Sequence, residues 1–544
     1  MKLLLLQPPV QDYYDTEVRL QPIGLGYLKA AVRSHLPDVE IVVKDFHAGG
    51  GRRTVRVPDR LRYLRDYYPV RDLSPFSLFS AYYHFGASFE EVASSVAREK
   101  PDLVGISSLF STYHEQAILC AREIKKRIDV RVLMGGSHPT ALPEAVLRDP
   151  DVDFIIRGEG ERPLVALIEA LRHGHDLRTV PNLGFKHDGE CMLNDIEENY
   201  SVEDLPVPDM SDLNPRFYAL HRRPVAAVVS SRGCPYHCDF CSVRATFGKA
   251  YRRRSNRSIL DEIMRRYADG YRVFDFEDDN LTFDRAQTEQ LLEDIIRRFP
   301  AGSLELFAMN GLCYFGLDSA LVRLMKAAGF RQLNLSLVSA NPDVCAGHRR
   351  PCEVGVFEQA VEEAFRLGLR VIGYQILGLP GESLDSMAQT LALLARLPLL
   401  VGASVFYLAP GSALWEKEPG RSDQLESARL TALPGHSDLI SRDGLYTLLI
   451  TARIINFLKS LPLGHEPGEL SLANALERTT DDRSRLGARL LRTLLAEGRL
   501  LAWDGRRDHL LQRFSPEVFE RVWAQIGAVR TLEGPTVEVA YLRP

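Results

Sequence analysis

The sequence predicts an α/β protein made of two successive strand–helix series followed by a mainly helical C-terminal region. Three observations carry this prediction. Short continuous apolar runs alternate with amphipathic segments between residues 2 and 162, the Pro- and Asp-rich stretch DLPVPDMSDLNP interrupts them, and a second alternating series runs from 224 to 408. Strands that are apolar throughout, rather than at every second position, imply parallel sheets covered on both faces.

In the first series KLLLLQ (2–7) is a run of strand length, and 23–36 is helical, with Leu25, Leu28, Val32 and Leu36 on one stripe. Strands follow at EIVVKD (40–45), DLVGIS (102–107), RVLMGG (131–136) and DFIIRG (153–158), with helices at 114–128, near 141–148 and from Arg162. This is a doubly wound, Rossmann-like order, whose ligands bind beyond the C-terminal strand ends. The insert at 48–95, with its RLRYLRDYYPVRD, is either a lid or a packing elaboration. Regular periodicity fades over 186–224. The expected division is a first domain over 1–200 and a linker over 201–223.

The second series has strands at 224–230, 271–277, 303–310, 331–339, 370–378 and 402–408, with helices between them. The helix at 318–328 shows the local logic. Leu317, Leu321, Leu324, Met325 and Ala328 form its stripe, Asp318 is its N-cap and Gly329 its stop. Six strand–helix units over 224–424 fit a partial (β/α)6 TIM barrel, with chemistry at the C-terminal strand ends. From 425 to 544 the pattern is helical, at 445–461 and again at 485–505, where a helix leads into a short hairpin.

Composition is globular: of 544 residues, 45% are hydrophobic and 26% charged. Lys and Arg number 67 against 72 Asp and Glu, so the net charge of -5 gives no whole-protein attraction to nucleic acid or anionic lipid. The opening apolar run is stopped by Gln7, Pro8 and Pro9, too short for a signal peptide or a membrane span, and a cytoplasmic protein is expected.

Of eight cysteines, Cys234, Cys238 and Cys241 fall together in SSRGCPYHCDFC, directly after the first strand of the second series. Three thiolates on one loop suit three corners of a 4Fe-4S cubane and leave the fourth iron open to a substrate or cosubstrate. The alternative is structural zinc, with His237 as fourth ligand, although a second ligand pair at the usual distance is not evident.

The CxxxCxxC spacing with Phe240 before the last cysteine resembles the radical S-adenosylmethionine (SAM) enzymes, and later elements match in order over about 225–415. The resemblance implies that Cys234, Cys238 and Cys241 hold the cluster. It also implies that the open iron chelates SAM and that an electron cleaves SAM to methionine and a 5'-deoxyadenosyl radical. FEDDNLTFD places Asp278, Asp279 and Asn280 where relatives meet the SAM amino group. Asn310, Ser336 and Ser339 fall at strand ends that hold ribose or carboxylate groups in relatives, and Gly378 lies beside the adenine. Arg252, Arg253 and Arg254 are candidate partners of the SAM carboxylate. Val338 departs from the pattern, standing where many relatives carry Glu.

The first series resembles the cobalamin-binding domain of cobalamin-dependent radical SAM enzymes through SSL (107–109), GGSHP (135–139) and RGEGE (157–161). Ser107, Leu109, Gly135, Gly136, Gly158 and Gly160 are thereby expected at the cobalamin. DFHAGG (45–50) spells a cobalt-ligand motif, but it follows the second strand rather than the first. No axial ligand is assigned, and His114 and His138 are the alternatives.

The resemblance implies C-methyl transfer to an unactivated carbon of a small-molecule or lipid substrate, with an external flavodoxin- or ferredoxin-type electron donor. The alternatives are a cobalamin-dependent rearrangement or oxidative cyclisation, and a non-enzymatic cobalamin or redox sensor. A methylthiotransferase needs three further N-terminal cysteines, where only Cys120 and Cys191 occur.

Overall fold

Leu3 and Leu5 of the first strand join one apolar cluster, while Leu4 and Leu6 join a second, so a single strand feeds the core on both faces of its sheet. This is why the run KLLLLQ is apolar without alternation. The computed structural model describes every residue except 15–20, 198–200, 419–421, 436, 438, 465–467 and 540–544. Residue 200, the expected end of the first domain, and the chain end at 544 lie outside the described residues.

The chain forms two compact units: Met1–Arg56, Tyr82–Asp279 and Leu408–Ala428 make the first, and Val57–Ala81, Asn280–Tyr407 and Arg429–Pro544 the second. In the first unit the strands are β1 (Lys2–Gln7), β2 (Glu40–Asp45), β3 (Leu103–Ser107), β4 (Arg131–Gly135), β5 (Phe154–Ile156), β6 (Leu183–His187) and β7 (Glu190–Leu193). They form one sheet in the order β7-β6-β5-β4-β3-β1-β2. Pairing is parallel from β2 to β5 and antiparallel at β6 and β7. Helices Ile23–His35 and Glu161–His173 supply Val32, Leu164 and Ile168 to one face. Phe89–Glu99 and His114–Lys125 supply Val92, Val96, Cys120 and Ile124 to the other. Cys120 is a core residue, and burial raises its thiol pKa.

The β6–β7 hairpin was not expected from the fading periodicity after 186. Its local signal is Asp188-Gly189, with φ of 52° and 85°, joining His187 to Glu190. A two-residue Asp-Gly loop with both φ positive is the turn that matches strand twist. Residues 208–213 then run along the helix Ile23–His35. Asp212 accepts from Val43 N at 2.7 Å, and Lys29 Nζ lies 2.8 Å from Asp212.

The same unit holds the parallel pair β8 (Arg223–Val228) and β9 (Val273–Phe276), connected through the helix Asn256–Ala268. The second unit holds β10 (Glu305–Phe307), β11 (Gln332–Val338), β12 (Arg370–Leu377) and β13 (Leu400–Val405), the last three as a parallel sheet. Leu306 bridges in parallel to Phe330 just before β11. The helix Ser319–Ala328 begins with Asp318 accepting from Leu321 N at 2.9 Å and ends at Gly329, φ 116°. A methyl group on Gly329 would come within 2.7 Å of the Leu304 carbonyl oxygen, so the stop also needs glycine for space.

The C-terminal segment of the second unit is mainly helical, with Arg442–Lys459, Asp482–Glu497 and Pro516–Ile526, and the hairpin Leu501–Trp503/Asp508–Leu510 follows the second of these. The tyrosines of the insert pack on this region: Tyr68 OH donates to Thr431 O at 2.9 Å, and Tyr446 OH to Tyr67 O at 2.9 Å. Phe76 meets Phe457 edge-on at 5.4 Å. Of the two readings of the insert, residues 57–81 follow the packing one. Among the described residues no helix is long and apolar enough to cross a membrane.

Candidate cluster and cofactor site

A short antiparallel pair, Ser231–Arg232 with Arg252–Arg253, follows β8 and closes the base of the loop that carries the three cysteines. Gly233 enters this loop at φ 82°, where a side chain would lie 2.5 Å from the Ala250 carbonyl oxygen. Cys234, Cys238, Phe240 and Cys241 are all half-buried. The thiol of Cys241 is pushed up to about 11, first by burial and then by the neighbouring sulfurs of Cys238 and Cys234. Three sulfurs on one short loop are the soft donors that iron binds as thiolates, and bound iron would neutralise them. The donor set therefore fits a 4Fe-4S cluster. In such a cluster each thiolate would serve a different iron, so the sulfurs would not need to converge on one ion, and among the described residues no three Cys, His, Asp or Glu side chains do so. His237, the fourth ligand of the zinc reading, is exposed, with Nδ1 2.5 Å from Arg244 Nη1.

Beyond β9, Asp278 is buried and accepts from Ser230 N at 3.2 Å, from Ser230 Oγ at 2.6 Å and from Ser231 Oγ. It holds the chain that leads into the cysteine loop. Asp279 accepts from Gly233 N at 2.9 Å, and burial pushes its carboxyl up to about 6. Asn280 is buried in the second unit.

The candidate SAM-carboxylate arginines already have protein partners. Arg252 meets Glu159 at 2.7 Å, Arg253 donates to Asn256 Oδ1 at 2.7 Å, and Arg254 meets Glu262 at 2.6 Å. Two of these guanidiniums are held by carboxylates and one by an amide oxygen, partners that sequence alone does not identify.

In the second unit Asn310 is exposed in the turn after β10, and a side chain on its neighbour Gly311 would lie 3.2 Å from Ser336 Oγ. Ser339 is fully buried, and its hydroxyl donates to Glu382 Oε1 at 2.9 Å. Burial pushes the Glu382 carboxyl up to about 7. Glu382 was missed by sequence reasoning; its signal is the acid in GLPGES, just past the β12 strand end. Gly378 has φ 78°, and a side chain there would meet Leu445 at 2.8 Å. Val338 also has positive φ, 75°, at the irregularity in β11–β12 register. A β-branched residue there is strained.

At the C-terminal edge of the first sheet, Ser107 ends β3, Leu109 is 49% exposed, and Gly135 ends β4. Gly136, φ 118°, passes so close to Ser108 that a side chain would stand 2.6 Å from its carbonyl oxygen. Beyond β5, Gly158 has φ 66° and Gly160 caps the helix Glu161–His173. Of these small residues Gly135 leaves open space beside it, whereas Gly136, Gly158 and Gly160 pack against the protein's own atoms; an open glycine at the strand end is compatible with a bound planar ring. Of the candidate axial histidines, His138 is 3% exposed, with burial pushing its pKa down to about 3, and its ring lies 5.0 Å from that of His114. His47 is buried against Phe85, and Asp45 of its motif accepts from His47 N at 2.8 Å.

The first unit thus carries a parallel sheet edge of small residues and a three-cysteine loop that follows β8. Residues 77–168 match the B12 binding domain family and residues 228–394 the radical SAM superfamily. The two matches fall in the same order as the two strand–helix series, a B12 binding domain first and a radical SAM domain second. It is 27% identical over 426 residues to an uncharacterized methyltransferase of Pyrococcus horikoshii, covering 76% of this chain and 83% of the relative. It is 25% identical over 428 residues to the cytidylyl-2-hydroxyethylphosphonate methyltransferase of Streptomyces wedmorensis, covering 71% and 75%. In fold it is similar to the radical SAM methyltransferase TsrM of Kitasatospora setae, solved with tryptophan and a SAM analogue. That match has a TM-score of 0.58 at 20% identity, over 76% of this chain and 74% of that one.

Proposed function

We propose that the protein is a cobalamin-dependent radical SAM C-methyltransferase acting on an unactivated carbon of a small-molecule or lipid substrate. The observation that carries this reading is the meeting of two motif sets within one compact unit. Thr246, just past the cysteines, has its hydroxyl 3.2 Å from Ser137 of the GGSHP loop, and its carbonyl oxygen is 3.3 Å from where a side chain on Gly158 would begin. When bound, the cofactors supply one-electron reduction, a hydrogen-abstracting radical and a transferable methyl group.

The chain's part is to bind, orient and exclude water. Cys234, Cys238 and Cys241 hold the cluster. Asp279, one of whose oxygens already orders Gly233, is a candidate for the SAM ammonium, and Asn280 of the second unit another, whereas Asp278 supports the loop from beneath. Ser336 and Asn310 remain candidates for polar groups of SAM, and Ser107, Leu109, Gly135, Gly136, Gly158 and Gly160 for the cobalamin seat. Electrons come from a flavodoxin- or ferredoxin-type donor. Residues 1–200, 224–424 and 425–544 serve as cobalamin, barrel and C-terminal regions.

The test is anaerobic reconstitution with iron, sulfide and cobalamin, then incubation with SAM, reductant and a metabolite and lipid extract. The expected products are 5'-deoxyadenosine, S-adenosylhomocysteine and a substrate heavier by one CH2. Failure to take up cobalamin, or a product formed without that mass gain, overturns the methyltransferase reading.

A further inference from the structure

Beside its glycines, the RGEGE loop carries two acids that face buried arginines at the base of the cysteine loop. Arg232 Nη1 lies 2.6 Å from Glu159 Oε1, and Arg232 Nη2 lies 2.6 Å from Glu161 Oε1. Arg252, paired with Arg232 across the short strands, reaches the other oxygen of Glu159 at 2.7 Å. All four side chains are nearly buried, at 8%, 6%, 7% and 11% exposure for Arg232, Glu159, Glu161 and Arg252. Two cations and two anions cancel, which is what permits the group to be dry. The guanidinium fork is also covered by rings, with Tyr27 5.0 Å and Phe247 5.9 Å from its carbon.

The position of this quartet gives it a use. Glu159 stands between Gly158 and Gly160, so the loop offered to cobalamin is the loop held by Arg232. Arg232 in turn is two residues before Cys234. The same neighbourhood is tied elsewhere: Leu414 N donates to Asp239 O at 3.0 Å, inside the cysteine loop.

Resting on the cobalamin-dependent reading above, we infer that Glu159, Glu161, Arg232 and Arg252 are positioning residues that clamp the cluster loop to the cobalamin loop and hold the charge beside the cluster at zero. Lysine at 232 cannot replace the fork, because one ammonium cannot reach two carboxylates in fixed geometry. A misplacement on the order of 1 Å between the two cofactor seats costs methyl transfer about 10²-fold.

The experiment uses reconstituted holoenzyme and reads the cluster's midpoint potential by electron spin resonance titration, with iron content as a control. Glu159→Gln/Glu161→Gln leaves two cations uncompensated near the cluster and should move the potential up. Arg252→Gln leaves an anion uncompensated and should move it down. Methylated product per 5'-deoxyadenosine should fall in both. Opposite shifts support the clamp, since a merely structural role has no reason to follow the sign of the charge. Equal potentials, or shifts of the same sign, overturn it. Should the double variant take up no iron, Arg252→Gln decides alone: a lowered potential supports the proposal and an unchanged one overturns it. Wild-type protein that binds no cobalamin sinks the functional reading instead, and the potentials are measurable either way.

Discussion

The hydroxyl of Ser339 donates to Glu382 Oε1 at 2.9 Å, joining the end of β11 to the loop after β12 across 43 positions of sequence. Ser386 shares the same oxygen at 3.1 Å, while Oε2 is buried without a hydrogen bond. Glu382 is fully buried and its carboxyl is pushed up to about 7 by desolvation, which the two serines only partly offset. Below its ordinary value of 4.5 the acid is protonated folded and unfolded alike. As pH rises from there through 7, the unfolded chain ionises first and the folded state loses stability. Glu382→Gln should therefore match wild type near pH 4 and be the more stable protein at pH 8. The gap is at most about 3 kcal/mol, and denaturant melts at the two pH values measure it. A constant gap would show that the carboxyl ionises normally.

Replacing any one of Cys234, Cys238 or Cys241 by Ala should drop iron from about four atoms per chain to below one and reduce 5'-deoxyadenosine formation to background. Cys120 is fully buried in a core on the first sheet, so Cys120→Ala should keep the iron and cost only stability, about 1 kcal/mol. Iron and sulfide analysis after anaerobic reconstitution distinguishes the two classes.

Gly135 and Gly136 are neighbours with opposite tolerances. A side chain at Gly135 would meet nothing nearer than the Ile156 carbonyl oxygen at 3.9 Å, whereas one at Gly136 would clash with Ser108 at 2.6 Å and sit at φ 118°. Gly135→Leu should keep the melting temperature while weakening cobalamin uptake at least about tenfold, a loss of about 1.4 kcal/mol. Gly136→Leu should lose stability as well, by about 2 kcal/mol or more. Normal uptake by Gly135→Leu would remove that strand end from the cobalamin seat.

Val338 and Val371 are both nearly buried, at 5% and 3% exposure, on adjacent parallel strands, but only Val338 has positive φ. Deleting a buried valine side chain and freeing the backbone costs about 3 kcal/mol in an ordinary strand. Relief of left-handed strain returns about 1–2 kcal/mol. Val338→Gly should thus cost clearly less than Val371→Gly in urea unfolding. Equal costs would mean that the conformation at 338 is unstrained.

The local elements were legible because their causes are local. The helix Ser319–Ala328 starts and stops where its stripe and caps place it, with Asp318 accepting from Leu321 N and Gly329 ending it at positive φ. The three cysteines were legible for the same reason, since one short loop brings them together. The edge hairpin was missed because apolar periodicity outweighed a two-residue turn signal at Asp188-Gly189. The motif glycines were legible as small residues, but what their neighbours hold was not.

By itself the sequence determined the local elements and nominated the candidate cofactor residues: a cysteine triad, an acid–amide run after the next strand, and small residues at the edge of a parallel sheet. Only the tertiary structure decided how those residues are employed. Asp278 holds Ser230 and Ser231 beneath the loop, Arg252 pairs with Glu159, and Ser339 faces Glu382. The reason is physical. A buried charge or hydroxyl takes its role from the partner that satisfies it, and these partners lie between 43 and 93 positions away.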